Sequence, residues 1–216
     1  MEKGYTIPVH DHGFVRYIDH MGIDLDIVEA ARVSYKSPSK GEEADKKLLR
    51  YLFKHRHTSP FEMVKLKLNI KLPIFVMRQY IRHRMQNVNE LSARYSELPD
   101  EFFIPEKWRY QDTKNKQSSY GEIKGHYWHQ EVNMFYQRAY ELYQHMLQEG
   151  IAREQARIVL PVGIYTEFYL LLGHEQSPQI LHAAGRPTRP GRASGLCTSG
   201  EADSSALLSL DDGGLR

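Results

Sequence analysis

Residues 82–96 read Arg-His-Arg-Met-Gln-Asn-Val-Asn-Glu-Leu-Ser-Ala-Arg-Tyr-Ser, the densest array of fixed charge, donors and acceptors in the chain. Guanidinium groups placed together, as at Arg82 and Arg84, repel one another unless anions lie among them. Each can bind a phosphate or carboxylate through two parallel hydrogen bonds. In isolation an Arg-His-Arg run is a solvated helix end. Here it follows the apolar segment Pro73–Met77 and precedes Asn89, Glu90, Ser92, Arg94 and Tyr95, the mixture that lines a pocket. The chemistry these residues suit is recognition of a phosphorylated, hydrogen-bonding ligand.

Other residues gain meaning from their spacing. A helix running from Pro73 towards Arg84 would place Arg78, Gln79 and Arg82 on one face, since positions three and four apart are neighbours there. A Gln amide such as that of Gln79 offers both donor and acceptor to a pyrimidine edge. Ser59, ahead of Pro60, reads on spacing alone as a cap or turn residue, and so does Ser92. Arg157 is a lone basic residue in an apolar run, ordinarily a snorkelling or paired arginine. His55-Arg-His57 is a weak metal signal, and no His or Cys spacing supports a metal site. No Gly-x-Gly-x-x-Gly follows a strand, so any dinucleotide would sit in a non-Rossmann cleft.

Taken in order, these blocks resemble the flavin-dependent thymidylate synthases. Arg82-His83-Arg84, then seven residues, then Ser92 matches the family's RHR-x7-S motif. The longer pattern RHRxxSxNExSxRYS is met except at Asn87, where the family often has Ser. Ala30–Ser34, His57–Glu62 and Glu154–Pro161 add three further ordered matches, and the resemblance covers residues 10 to 169.

The resemblance implies a reductive methylation of deoxyuridylate (dUMP) to thymidylate. The carbon donor would be 5,10-methylenetetrahydrofolate, with NADPH reducing a bound FAD. It further implies that Gln79, Arg82, Glu90, Leu91, Ser92, Ala93, Arg94 and Arg157 bind dUMP. Ser59, Arg82, His83, Arg84, Met85 and Glu90 would contact FAD, with His57 and Glu62 as neighbours; for Arg32 and Ser34 a structural role is as good a reading. The implied assembly is a homotetramer with flavin sites shared between subunits. Such chemistry needs no cysteine nucleophile, and the lone Cys197 lies outside every matched block. The family's uracil-activating arginine, in a Leu-Arg-x-Asp segment, has no assignable counterpart, and Arg186 is not given that role. The catalytic residue is therefore unassigned, and the rival reading is an inactive nucleotide- or flavin-binding remnant.

Composition sets the frame. At 216 residues one domain with a sizeable core is expected. Lys+Arg 29 against Asp+Glu 27 leaves the chain almost neutral, which argues against nucleic-acid or membrane partners. The first twenty residues hold no apolar leader, no run would span a bilayer, and one cysteine suits a reducing cytoplasm.

Periodicity predicts the elements that must position the candidate residues. Helical spacing over Asp24–Tyr35 puts Leu25, Val28, Ala31 and Val33 inward. Over Glu42–Lys54 it does the same for Leu48, Leu49, Leu52 and Phe53. Val64–Leu72 alternates as a half-buried strand. Residues 97–119 read as loop with a short strand around Phe102–Ile104, followed by a long helix over Tyr120–Gln148 and a short one over Arg153–Leu160. The expected fold is α+β: a single domain with a central, mostly antiparallel sheet flanked by helices.

The domain is expected to end at residue 169. All 14 Tyr, 8 Phe and 2 Trp lie in residues 1–169, and residues 170–216 also lack Lys, Asn, Val and Met. That composition reads as a disordered tail. Two explanations stand: a natural extension and a shifted reading frame. Read one nucleotide later with permitted codons, Ala184–Ala193 can encode Arg-Ala-Asp-Pro-His-Ala-Gln-x-Glu, which restores the family's segment in register. The shifted frame is the preferred explanation.

Overall fold

Lys65–Pro73 alternates Lys-Leu-Lys-Leu-Asn-Ile-Lys-Leu, and this pattern builds the middle of the molecule. The computed structural model of the chain describes residues 2–173. In it β1 (Thr6–Val9), β2 (Gly13–Met21), β3 (Lys65–Pro73), β7 (Tyr165–Gly173) and β4 (Gln86–Glu90) form a five-stranded sheet in the order β1-β2-β3-β7-β4. Every neighbouring pair is antiparallel. Two short strands, β5 (Tyr110–Gln111) and β6 (Ser119–Tyr120), make a separate hairpin. The expected α+β class is therefore the observed one, with five helices flanking the sheet among the described residues.

Register decides which side chains share a face. Leu68, Ile70 and Leu72 of β3 stand opposite Leu170, Phe168 and Thr166 of β7. Leu68, Ile70, Leu72, Phe168 and Leu170 form one buried cluster with Tyr17, Met77 and Leu172. Each such side chain withdrawn from water contributes roughly 1.5–3 kcal/mol. The helix α3 (Ile74–Tyr80) closes this cluster with Met77, Val76 and Tyr80.

The other face is polar and internally paired. Asn69 is fully buried, which is costly for an amide without partners. It has them: its Nδ2 donates to Glu167 Oε1 at 3.0 Å, and its Oδ1 accepts from Arg16 Nη1 at 3.3 Å. A single polar row thus ties β2, β3 and β7 together.

The helices α1 (Asp24–Arg32) and α2 (Glu42–Lys54) pack on a second cluster of Ile27, Leu52, Phe61 and Val64. The α2 bounds agree with the spacing. Leu25, Val33 and Phe53, expected inside, are exposed. The helix α1 ends at Arg32, and the tighter 3-10 turn Val33–Tyr35 rotates Val33 out of phase with the buried stripe.

Three further expectations are corrected. The helix from Pro73 stops at Tyr80, where the amides of Arg82 and His83 turn back onto the carbonyls of Gln79 and Tyr80. The long helix α4 begins at Tyr127, not near Tyr120, because Gly121 (φ 58) and Gly125 (φ 101) hold left-handed backbone that a helix cannot continue through. Third, β7 runs to Gly173, so the boundary expected after residue 169 falls inside a strand. The readings of a disordered or frame-shifted tail cover residues 170–216; residues 170–173 are the end of β7, and the rest of that stretch lies outside the described residues. The last short helix α5 (Arg153–Ala156) continues into a 3-10 turn at Arg157–Val159.

Candidate functional site

β4 organises the candidate residues. Its five residues pair with β7 from Gln86↔Leu172 to Glu90↔Phe168, and among the described residues β7 is its sole strand neighbour. Arg82, His83, Arg84 and Met85 occupy the connection entering β4, while Leu91, Ser92, Ala93 and Arg94 leave it. At about 3.4 Å per residue, the six steps from Met85 to Leu91 separate these two groups by roughly 20 Å. The two halves of the motif therefore sit at opposite ends of one strand.

At the entry, Gln79 and Arg82 stay adjacent because the Arg82 amide donates to the Gln79 carbonyl at 3.3 Å. Arg78 is not carried onto a common helical face with Arg82, since α3 has ended. The His83 ring stands edge-on to Tyr80 at 6.0 Å between centroids, and Tyr80 in turn packs against Phe168 of the core. Gln86 Nε2 donates to the Tyr80 carbonyl at 3.3 Å. Two polar atoms under this turn, Tyr80 Oη and Gln86 Oε1, are buried without a hydrogen-bond partner. Burial pushes the Tyr80 phenol well above the usual range for tyrosine, so it stays a neutral donor.

At the exit, Thr166 Oγ1 donates to Glu90 Oε1 at 2.7 Å and the Leu91 amide donates to the Glu167 carbonyl at 2.8 Å. Ser92 closes a turn: its carbonyl accepts from Tyr95 N at 3.0 Å, and its hydroxyl accepts from Arg94 N at 3.4 Å. The helix cap that spacing alone suggests for Ser92 is not formed, since no helix follows it; the hydroxyl accepts within a turn instead, and its proton remains available to a ligand. Ala93 is buried with Leu98, Phe102 and Ile164, and Leu160 packs on the same cluster. That cluster holds the turn carrying Arg157, three residues before Leu160, beside the segment carrying Ser92 and Arg94. The Arg157 side chain is exposed, with Nε donating to the Glu154 carbonyl at 3.4 Å.

Electrostatics favour an anion. Arg82, Arg84 and Arg94 are exposed, and among the described residues none has a carboxylate partner. Arg94 lies over the Tyr95 ring at 5.3 Å, which orients it without neutralising it. Arg32 differs: it is buried, with Nη2 2.7 Å from Asp45 Oδ1 and Nη1 donating to the Pro38 carbonyl, a structural arrangement. Ser59 is exposed on the 3-10 turn Ser59–Met63, which leads into β3 opposite the end of β7. It lies on the same border of the sheet as Gln86 but two strands away. No group of three or more His, Cys, Asp or Glu among the described residues is arranged to hold a metal.

A cavity of about 430 Å³ opens elsewhere, lined by His10, Asp11, His12, Asp100, Glu106 and His129 among others. None of the candidate residues lines it. It has no arginine or lysine, so its chemistry is opposite to that of the β4 border and does not suit a phosphate.

Comparison with known proteins bears on the same residues. The family model described as thymidylate synthase complementing protein matches residues 16–172. A flavin-dependent thymidylate synthase of Thermus thermophilus is 52% identical over 169 residues, 78% of this chain and 63% of the relative. One from Ruegeria pomeroyi is 48% identical over 171 residues, 75% of this chain and 57% of the relative. The chain thus spans less than two thirds of the length of either. Among solved structures, the UMP/dUMP methylase PolB from Streptomyces cacaoi, bound with 5-Br dUMP, superposes with a TM-score of 0.75 at 30% identity. That superposition covers 88% of this chain and 87% of the other.

Proposed function

We propose that this chain, which belongs to the flavin-dependent thymidylate synthase family, binds FAD and dUMP along the β4 border and serves the reductive methylation of dUMP to thymidylate. The observation that carries the reading is the set of arginines without anion partners, Arg82 and Arg84 at one end of β4 and Arg94 at the other. A flavin has a pyrophosphate and dUMP a monophosphate, and the separation along the strand suits two phosphorylated ligands better than one.

The chain's own contribution is positional and electrostatic. Arg94, and Arg157 on the adjoining turn, would take the nucleotide phosphate. Gln79 and Arg82 present an amide and a guanidinium to the base, and Glu90, Leu91, Ser92 and Ala93 supply carboxylate, backbone and hydroxyl contacts along one short path. Arg82, His83, Arg84 and Met85 would hold the flavin against that path, with Ser59 reaching it from the neighbouring turn. Fixing base and flavin together converts an encounter of separate molecules into one oriented complex, and guanidinium groups stabilise charge that develops on the base. When bound, the flavin supplies the hydride that completes the methyl group, after NADPH has reduced it. The one-carbon unit would come from 5,10-methylenetetrahydrofolate.

The open exposure of Ser59, Arg82, Arg84, Glu90 and Arg94 on a single chain suits a homotetramer in which neighbouring copies close each flavin site. The test is direct. Purified protein should carry flavin absorbance and release tritium from dUMP labelled at C5, dependent on methylenetetrahydrofolate and NADPH. Protein that retains no flavin and releases no tritium refutes the reading; flavin and dUMP binding without release establishes a binding remnant.

A further inference from the structure

We propose that Thr166 is the positioning residue for the Glu90 carboxylate, selecting the one orientation in which Glu90 faces bound ligand. The inference rests on the nucleotide-binding reading of the β4 border. Glu90 is the last residue of β4 and its side chain is exposed. A free glutamate samples several rotamers, and ordering it costs side-chain entropy.

Thr166 removes that freedom. It is 3% exposed, it lies on β7 two residues before Phe168, and Phe168 stands directly opposite Glu90. Thr166 and Glu90 are therefore diagonal neighbours on one face of the sheet, and the hydroxyl donates to Glu90 Oε1 at 2.7 Å. Threonine is stiff about its first side-chain torsion because it branches at Cβ, so the donor itself is fixed. The adjoining backbone is fixed as well, since the Leu91 amide donates to the Glu167 carbonyl at 2.8 Å. One carboxylate oxygen is thereby committed to the protein, and the other is left to accept from a ligand N–H or O–H. Thr166 touches no ligand itself, and it acts through Glu90.

Two variants separate this role from plain packing. Thr166→Val keeps shape and strand propensity but removes the donor, whereas Thr166→Ser keeps the donor. Calorimetric titration with dUMP should show Thr166→Val binding about tenfold more weakly, the loss expected for one hydrogen bond to a charged group. Thr166→Ser should lie within about threefold of the parent, and Thr166→Val should add nothing to Glu90→Ala, which lacks the acceptor, in the double variant. Equal losses in the Val and Ser variants, or full additivity with Glu90→Ala, overturn the proposal. A second measurement does not depend on any ligand. In protein labelled with ¹³C at glutamate, the Glu90 carboxyl resonance (assigned by its absence in Glu90→Gln) should move in Thr166→Val and stay in Thr166→Ser. An unmoved resonance in Thr166→Val overturns the inference. Failure of the parent protein to bind dUMP refutes the functional reading instead, and leaves the carboxyl resonance to decide this one.

Discussion

Val88, at the middle of β4, stands directly opposite Leu170 of β7, and Leu170 is wholly buried while Val88 is 37% exposed. Among the described residues, the strand that organises the candidate site is thus braced from one side, by a residue that belongs to the core. Stability of the core and geometry of the site are linked through that pair.

Replacing Leu170 with Ala should therefore do two things. Losing a fully buried leucine should cost about 2–5 kcal/mol, read as a lower denaturant midpoint. Because β4 has no other strand neighbour among the described residues, dUMP affinity should fall as well, under conditions where the protein is still folded. Unchanged affinity in a destabilised but folded Leu170→Ala protein would show that β4 is held by something else.

Arg84 is exposed at the entry to β4 and has no carboxylate partner among the described residues. Arg84→Ala should lower flavin retention by about tenfold or more, equivalent to roughly 1.5–3 kcal/mol for a charged hydrogen-bonding contact. Thermal stability should move by no more than about 0.5 kcal/mol. Gel filtration followed by the flavin-to-protein absorbance ratio measures the first, and a thermal melt the second. A variant that keeps its flavin fully would remove Arg84 from the assignment.

The Ser39 hydroxyl, then the Arg32 guanidinium, hold the Asp45 carboxyl below its ordinary value. A carboxyl whose value is lower folded than unfolded contributes stability that is complete above the unfolded value, near 3.9, and is lost as pH falls through the folded one. The parent protein should accordingly lose stability more steeply than Asp45→Asn below about pH 4, and should exceed it at neutral pH. Urea midpoints between pH 7 and pH 2 would show this. Parallel curves for the two proteins would remove Asp45 from the acid response.

Sequencing the coding DNA across the codons for residues 170–193 should reveal a one-nucleotide displacement from a frame encoding Leu-Arg-x-Asp-x-His-Ala-Gln. A protein expressed from the restored frame should hold more flavin and turn over dUMP faster than the chain as written. An undisplaced frame, together with full activity of the written chain, would show that residues 170–216 are native to it.

Local patterns were legible in the sequence and distant pairings were not. The α2 bounds and the body of β3 follow from a 3.6-residue stripe and a two-residue alternation, both carried by the segment itself. β4 was missed because Gln-Asn-Val-Asn-Glu has no strand propensity of its own, and its extended form comes from β7, about eighty residues away. β2 offered a signal in Val15 and Tyr17, broken by the irregular register between Tyr17 and Asp19. The end of the domain was set too early because Leu170, Leu171 and Leu172 carry no aromatic ring, and a composition count therefore divides β7. The candidate residues that residue type singles out, the basic turn, Glu90 and the Ser92 turn, lie along one strand. The contact that orders Glu90 had no sequence signal, since Thr166 meets it only through the β4–β7 register.

That register also dictates when the site can exist during synthesis. Residues 86–90 leave the ribosome well before residues 165–173, and at 5–20 residues per second the interval is several seconds. Through that interval Val88 and the backbone of β4 have no partner from the sheet, a segment suited to capture by chaperones or by another nascent chain. A chain halted at Pro161 would already contain every candidate residue and would still have no strand on which to seat Glu90.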